Sequence, residues 1–104
     1  MARFDVYPNP ETGDRTTVPY LLDVQNNFLD YVETRCVVPL HLSSRFSNRV
    51  RILNPEFNVA GKSVVMNTAA IGAIPANELR RSIANMAGEQ ADIIDALDTL
   101  FGGY

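Results

Sequence analysis

The sequence lacks tryptophan and contains only one cysteine, Cys36, and one histidine, His41. A single cysteine cannot form an internal disulfide, and one cysteine with one histidine cannot supply a structural zinc site. No apolar run approaches the roughly 18 residues that a membrane span needs. Charged residues also interrupt the first fifteen positions, where a signal peptide would lie. These absences predict a cytoplasmic protein without a metal or another cofactor.

Basic residues are also few, since nine of them face twelve acidic residues and the net charge is −3. This balance disfavours a domain that binds the nucleic-acid backbone, because such domains carry clusters of basic residues on one surface. The 104 residues are 46% hydrophobic and 20% charged, an ordinary globular composition. That length is sufficient to bury one hydrophobic core. We therefore expect a single domain over residues 1–104 that binds neither nucleic acid nor a membrane directly.

The first three quarters of the chain have the alternating apolar pattern and the turn signals of short strands. The predicted strands are residues 3–7, 18–25, 35–40, 50–53, 57–59, 63–66 and 71–74. Pro39 suggests an edge position or a bulge for its strand. Residues 28–34 are expected to be irregular and residues 41–49 to form a surface loop. Ala60 and Gly61 predict a tight hairpin turn.

In the last quarter the apolar residues recur every three or four positions. This period predicts an amphipathic helix over residues 83–101, or from as late as residues 86–88, because Gly88 weakens the first turns. Residues 77–82 fit either an extension of this helix or a further strand. Several antiparallel strands followed by one helix predict an α+β, mainly β domain, built as a small, partly open barrel.

The candidates for catalytic chemistry are few. A Ser-His-Asp or Cys-His site would have to use His41, and a solvated loop histidine is the simpler expectation. Cys36 lies in an apolar strand, where unreactive burial is usual. The sequence therefore predicts no catalytic residue.

Three aspartates, Asp92, Asp95 and Asp98, recur along one face of the predicted helix. Their spacing brings the carboxylates within reach of one another, so they are candidate metal ligands, although a solvated helix face explains them more simply. No basic residue follows Arg81, and acids near the C-terminal end of a helix are mildly unfavourable. This pattern suggests the hypothesis that the acidic face meets a basic partner.

Short motifs occur in order along the whole chain. They are Val6-Tyr7, Leu22-Asp23-Val24-Gln25, Arg35-x-Val37-Val38-Pro39-Leu40, Met66-x-Thr68, Ile74-Pro75, Ala91-Asp92-Ile93-Ile94-Asp95-Ala96-Leu97 and Phe101-x-Gly103. No single motif is specific. The ordered set, with its spacing and the total length, resembles the CcdB family of toxin proteins.

The resemblance implies an SH3-like, partly open antiparallel barrel with a long C-terminal helix, and a homodimer. It also implies a toxin of a bacterial toxin–antitoxin module. Such a toxin inhibits DNA gyrase by wedging into the dimer of its A subunit, and it traps the complex with cleaved DNA. A CcdA-like antitoxin neutralises the toxin by wrapping it with a disordered C-terminal segment. The toxin itself catalyses nothing and needs no cofactor.

Two surfaces of this chain follow from the resemblance. The gyrase-binding surface comprises Asn26, Phe28, Leu29, Asp98, Phe101, Gly102, Gly103 and Tyr104. The antitoxin-binding surface comprises Asn9, Glu11, Asp14, Arg15, Ser43, Arg45 and Arg49, and Arg51 is a further candidate to pair with acids of a disordered partner. The family pattern has tryptophan at position 102 and an aliphatic residue at position 104. Here Gly102 removes that stacking surface and Tyr104 offers a substitute aromatic ring.

Two other functions stay open at this point. MazF- and Kid-like endoribonucleases share the barrel, and their chemistry needs a general base, a cation and a basic groove. Arg35 and Arg51 are the available cations, whereas the net charge and the single histidine weigh against this function. The third possibility is an inactive homologue that binds the antitoxin and no longer binds gyrase.

Overall fold

The computed structural model describes residues 1–29 and 31–102, and this part of the chain forms an antiparallel sheet and a C-terminal helix. The strands are β1 (Asp5–Pro8), β2 (Tyr20–Asp23), β3 (Thr34–Leu42), β4 (Glu56–Val59), β5 (Lys62–Met66), β6 (Gly72–Pro75) and β7 (Ala84–Asn85), and the helix is α1 (Gln90–Phe101). The strand order is β4-β5-β3-β2-β1-β7, with β6 also paired to β3. This mainly β, nearly closed SH3-like barrel with one C-terminal helix is the predicted fold class.

The long strand β3 organises the sheet because it pairs with three other strands. One edge pairs with β2, and the other edge pairs first with β6 and then with β5. Pro39 lies where the β6 pairing has ended and the β5 pairing has not begun. Its carbonyl accepts the Asn67 N–H at 2.9 Å on that edge, so the missing N–H of Pro39 falls in the gap between the two ladders. Because β3 lies inside the sheet, the prediction of an edge strand was wrong.

The main hydrophobic core lies inside the barrel. Strand register aligns Val6, Leu22 and Val38 in one row and Tyr20, Leu40 and Met66 in the next. Helix α1 closes this core with Ile93 and Ala96, neither of which is exposed to solvent. Each fully buried aliphatic side chain of this kind contributes roughly 1.5–3 kcal/mol.

A second apolar cluster lies on the opposite face of β1, β2 and β3. It contains Tyr7, Val18, Leu21, Val37 and Leu79. Leu79 comes from the connection between β6 and β7 and covers this face, so every residue of β2 is buried. The alternation in residues 18–25 predicted one buried face, and the second buried face was missed because its cover is distant in sequence.

Several predicted boundaries differ from the structure. Residues 50–53 form a turn rather than a strand, because the Asn54 side chain accepts the Val50 N–H at 2.9 Å while the Asn54 N–H donates to the Val50 carbonyl at 2.7 Å. His41 belongs to β3, so the surface loop begins only after Leu42.

The helix also begins later than the apolar period predicts. Helix α1 starts at Gln90, preceded by a 3₁₀ turn at Ala87–Glu89. The first residues of the predicted helix instead form β7, which pairs with β1. Residues 79–82, which were expected to be helix or strand, have neither conformation. Residues 84 and 85 form a strand rather than the first turn of the helix because they pair with an edge of β1 that is otherwise open. The local sequence does not reveal that edge.

The β4–β5 hairpin gives a first stability prediction. Ala60 and Gly61 both have positive φ, 50° and 81°, as a two-residue type I′ turn requires. Asparagine tolerates this conformation better than alanine, so Ala60→Asn should stabilise the protein by roughly 0.5–1 kcal/mol. Urea unfolding measures the change. Gly61→Ala is the control and should destabilise, and a destabilising Ala60→Asn would contradict the assigned turn.

Candidate partner-binding surfaces

The segment that follows β2, residues 24–29, is tied to its neighbours by the side chain of Gln25. The Gln25 Oε1 atom accepts the backbone N–H of Cys36 at 2.9 Å. The Gln25 Nε2 group donates to the carbonyl of Leu29 at 3.1 Å. The segment is therefore attached to β3 at one end and closed on itself at the other.

Residues near the N-terminus support the same segment from its other side. The Arg3 N–H donates to Asn27 Oδ1 at 2.7 Å, and Arg3 Nε donates to the Val24 carbonyl at 3.1 Å. Phe4 has a φ of 72°, which is rare for a bulky residue. Its N–H donates to the Asp23 carbonyl at 2.7 Å, and these bonds hold the strained backbone in place.

The supported segment presents apolar side chains to solvent. Phe28 is 88% exposed and Leu29 is 42% exposed. Asn26 is exposed, and its Oδ1 accepts the Phe28 N–H at 2.9 Å, which fixes the turn that carries the ring. Phe28 and Leu29 are adjacent apolar side chains on an anchored turn and bury little of their surface against their own chain, which is typical of a partner-binding surface.

The end of α1 carries the second part of the predicted gyrase-binding surface. Phe101 is 70% exposed and Asp98 is exposed. Gly102 has a φ of 78°, and its N–H donates to the Asp98 carbonyl, so it terminates the helix in the left-handed conformation. Gly103 and Tyr104 lie outside the described residues. In residues 1–29 and 31–102 no hydrogen bond or ion pair joins this helix end to residues 26–29.

A buried ion pair lies beneath the segment that follows β2. The Nε and Nη2 groups of Arg35 each lie 2.7 Å from Oδ2 of Asp23, and neither side chain is exposed. The other oxygen of Asp23 accepts the Gln25 N–H at 2.9 Å. Arg35 cannot reach a nucleic-acid phosphate from this position, so its candidate role as a cation for RNA cleavage is excluded.

The pKa values of Asp23 itself and of the nearby Tyr7 are both shifted. Burial raises the pKa of Asp23, while hydrogen bonds from Gln25 and Arg35 oppose the rise. Tyr7 is buried on the same face, and its hydroxyl donates to Asp5 Oδ2 at 3.4 Å. Burial, together with the charges of Asp5 and Asp23, raises the pKa of Tyr7 to about 12.

The first predicted antitoxin-binding loop is closed by Asn9. Its Nδ2 donates to the Val18 carbonyl at 2.9 Å and its Oδ1 accepts the Glu11 N–H at 3.0 Å. Arg15 Nε donates to the Asn9 carbonyl at 2.7 Å. Asn9 is 5% exposed, so it shapes the loop, whereas Glu11, Asp14 and Arg15 are exposed.

Between this loop, β3 and β6 lies a groove of about 410 Å³, which we call the acidic groove. Its floor is apolar and its edge is acidic. The floor contains Val18, Leu21, Val37 and Ile74, and the edge carries Glu11, Asp14 and Glu78, with His41 at one end. Ile74 and Glu78 were not predicted as site residues, because only the pairing of β6 with β3 brings them here.

The remaining predicted antitoxin-binding residues lie after β3. Ser43 Oγ is 2.8 Å from Ser63 Oγ, which donates to Glu56 at 2.8 Å. Arg49 forms an ion pair with Glu56 at 3.3 Å and donates to the Ser43 carbonyl. The two serine hydroxyls and Arg49 lower the pKa of Glu56. Arg45 is exposed beside this network.

The acidic helix face has neighbours that the sequence did not reveal. Asp92 and Asp95 line a cavity of about 560 Å³ together with Arg49 and Arg51. Two of the three aspartates therefore already share a cavity with arginines of the same chain. The hypothesis that the acidic face meets a basic partner no longer applies to the whole face. Within the described residues no three His, Cys, Asp or Glu side chains are grouped closely enough to hold a metal ion.

His41 was expected in a solvated loop, and this expectation was wrong. It is half-buried in β3, its ring meets Phe46 edge-on at 5.1 Å, and its Nε2 lies 3.1 Å from Asn67 Nδ2. Burial lowers the pKa of His41. Cys36 is half-buried against the core, and burial raises the pKa of its thiol.

The fold is that of a mainly β barrel whose exposed aromatic rings and edge groove are suited to binding other macromolecules. The family model of the CcdB protein matches residues 3–103 of the 104. The chain therefore belongs to the CcdB family, and the resemblance seen in its motifs is confirmed. It is a toxin of the toxin–antitoxin type, from a family that acts by protein binding. Among the described residues, no helix is long and apolar enough to cross a membrane.

The buried ion pair yields a stability prediction. Asp23→Leu leaves the buried guanidinium of Arg35 without this carboxylate, which should cost about 3–5 kcal/mol. Adding Arg35→Met removes the second charge and should recover most of that loss. Urea unfolding of the single and double variants measures both effects. A loss below about 1 kcal/mol in the single variant would contradict this role of the pair.

Tyr7 yields a pH prediction. The folded-state pKa of about 12 lies above the ordinary value of 10.0, so this group stabilises the fold fully below pH 10. That stabilisation, about 3 kcal/mol, should disappear as the pH rises from 10 towards 12. Tyrosinate absorbance of the folded protein should show a late step that is absent in Tyr7→Phe. Identical titration curves would contradict the assignment.

Proposed function

We propose that this toxin binds the A subunit of DNA gyrase and traps the complex of gyrase with cleaved DNA. A CcdA-like antitoxin neutralises it. The observation that carries the proposal is the exposure of Phe28 and Phe101 at the two positions that the family pattern assigns to gyrase contact. The toxin acts by occupying a protein surface, and gyrase performs the chemistry.

The two aromatic rings have the properties expected of interface anchors. Each is large, apolar and solvated, so its burial against a partner is favourable. Aromatic residues often dominate interface energetics when they fill pockets on the other protein. The exposed carboxylate of Asp98 lies one turn before Phe101, where it complements basic residues on gyrase.

The proposal includes a homodimer. In this arrangement the ends of two α1 helices form one wedge, so each chain supplies a Phe101 to the same gyrase interface. Sedimentation should accordingly give twice the chain mass of 11.5 kDa at micromolar concentration. A monomer would remove the two-helix wedge from the proposal.

The left-handed backbone at Gly102 explains why this chain has glycine where the family pattern has tryptophan. A tryptophan at a φ of 78° would be strained, so this chain replaces a stacking side chain by a helix stop. In the proposal Phe101 supplies the main aromatic contact in place of that tryptophan. The role of Tyr104 as an additional aromatic contact stays a prediction.

Gyrase trapping tests the proposal directly. Purified protein with gyrase, supercoiled DNA and ATP should produce linear DNA after denaturation. Phe101→Ala should weaken trapping by at least tenfold, because the ring is solvated in the free protein and is buried only in the complex. Ile52→Ala is the matched control, since Ile52 is also a large apolar residue that is 60% exposed, and it is not one of the residues of the proposed surface.

The outcomes separate the alternatives. Trapping that is unaffected by Phe101→Ala would contradict the assigned surface while leaving gyrase as the target. Antitoxin binding without trapping would identify an inactive homologue. Growth arrest with RNA cleavage by the pure protein and no linear DNA would identify an endoribonuclease and overturn the proposal.

A further inference from the structure

We propose that the acidic groove binds a positively charged segment of the antitoxin through an apolar side chain flanked by lysine or arginine. This inference rests on the proposed neutralisation by an antitoxin and adds the chemistry of the segment that occupies this groove.

The groove has the shape and lining of a side-chain receptor. Its volume of about 410 Å³ lies in the range of ligand-binding clefts. The floor is built from Val18, Leu21 and Val37, which are between 4% and 8% exposed. These residues already form a packed cluster with Tyr7 and Leu79, so the floor stays in place without a partner. An aliphatic or aromatic side chain seated on it would bury its own apolar surface and that of Ile74, which is only half-buried in the free protein.

The ionised side chains that line the groove are all acidic. Glu11, Asp14 and Glu78 lie around it, and none of the described lining residues is lysine or arginine. His41 is also part of the lining, and burial lowers its pKa, so it does not offset the carboxylates near pH 7. Arg15 directs its Nε to the carbonyl of Asn9 within the loop itself. An occupant with positive charges beside its apolar residue is therefore favoured, and one with carboxylates is repelled.

The groove is also held in shape. Asn9 fixes the loop through hydrogen bonds to Val18 and Glu11, and four register pairs fix β6 against β3. A preformed site reduces the ordering cost of binding to that of the antitoxin segment alone. This matters because a disordered segment already loses conformational entropy when it binds.

Opposite charge lies elsewhere on the proposed antitoxin-binding surface. Arg45, Arg49 and Arg51 are exposed on the chain that follows β3. Arg49 is already paired with Glu56, and Arg51 shares a cavity with Asp92 and Asp95. A single antitoxin segment that crosses both regions would therefore need positive charge over the acidic groove and negative charge over Arg45. The two regions thus specify the direction in which the segment runs, because the reverse direction brings like charges together.

Two synthetic peptides of 12 residues test the inference on the full-length protein. They share the same leucine and serine positions, and one carries lysine where the other carries glutamate. With ¹⁵N-labelled protein, the lysine peptide should shift the backbone amides of Leu21, Val37 and Ile74, and the glutamate peptide should not. Raising the salt from about 50 to 300 mM should weaken the lysine peptide's binding.

Charge-removing variants identify the groups responsible. The triple variant Glu11→Gln, Asp14→Asn, Glu78→Gln should weaken binding of the lysine peptide by about fivefold or more. Glu89→Gln with Asp92→Asn, which removes exposed acids outside the groove, should leave binding unchanged. If the triple variant does not fold, the single variant Glu78→Gln replaces it, and it should weaken binding of the lysine peptide by a smaller factor.

Three results would overturn the inference. They are equal or tighter binding of the glutamate peptide in the groove, shifts by the lysine peptide confined to the aspartate face of α1, and no shifts at about millimolar peptide. None of these depends on gyrase. If the protein binds the lysine peptide selectively but does not trap gyrase, only the proposed target of the toxin is contradicted. If it traps gyrase but does not bind the lysine peptide selectively, only the proposed role of the groove is contradicted.

Discussion

The buried pair of Asp23 and Arg35 is the constraint on which the rest of this structure depends. Two charges without solvent access are tolerated only with close, well-directed partners, and Asp23 has both the guanidinium and the Gln25 N–H. Because Asp23 needs Arg35 as its partner, the end of β2 is held against β3 at Asp23, where the chain leaves the sheet. Since Arg35 also stands opposite Ile74, the pairing of β6 is set at the same place.

Both proposed surfaces extend from this point. Gln25 continues from Asp23 into the anchored turn that exposes Phe28, so the proposed gyrase-binding surface begins directly beyond the ion pair. Leu21 and Val37 lie on the same face of the sheet as Asp23 and form the floor of the acidic groove. One face of the sheet thus packs the barrel core and helix α1, and the other face supports the proposed acidic groove.

The sequence predicted the parts of the fold that rest on regular spacing. The rows that contain Val6, Leu22 and Val38, the hairpin at Ala60 and Gly61, and the C-terminal helix all follow from short-range patterns. The same logic failed at residues 50–53, where alternating arginine and aliphatic residues have the pattern of a strand. There a single side chain, that of Asn54, closes a turn and leaves the aliphatic residues exposed.

The candidate sites were less predictable because they depend on contacts between distant residues. Asp23 was recognised only as part of a motif, and Arg35 was considered as a cation for RNA cleavage rather than as a buried partner of Asp23, since an isolated charge gives no sign of burial. Glu78 reaches the acidic groove because β6 pairs with β3, a pairing that no local pattern encodes. The two surfaces themselves came from the family resemblance, and the structure adds which of their residues are exposed and which, like Asn9, are structural.

The central claim is that residues 26–29 and the end of α1 form the surface that meets gyrase. Hydrogen exchange of the protein alone and with the purified gyrase A subunit tests it most directly. We predict that the subunit slows exchange at Phe28, Leu29 and Phe101, while amides of the acidic groove exchange as before. Protection confined to the groove, or no protection anywhere, would contradict the account.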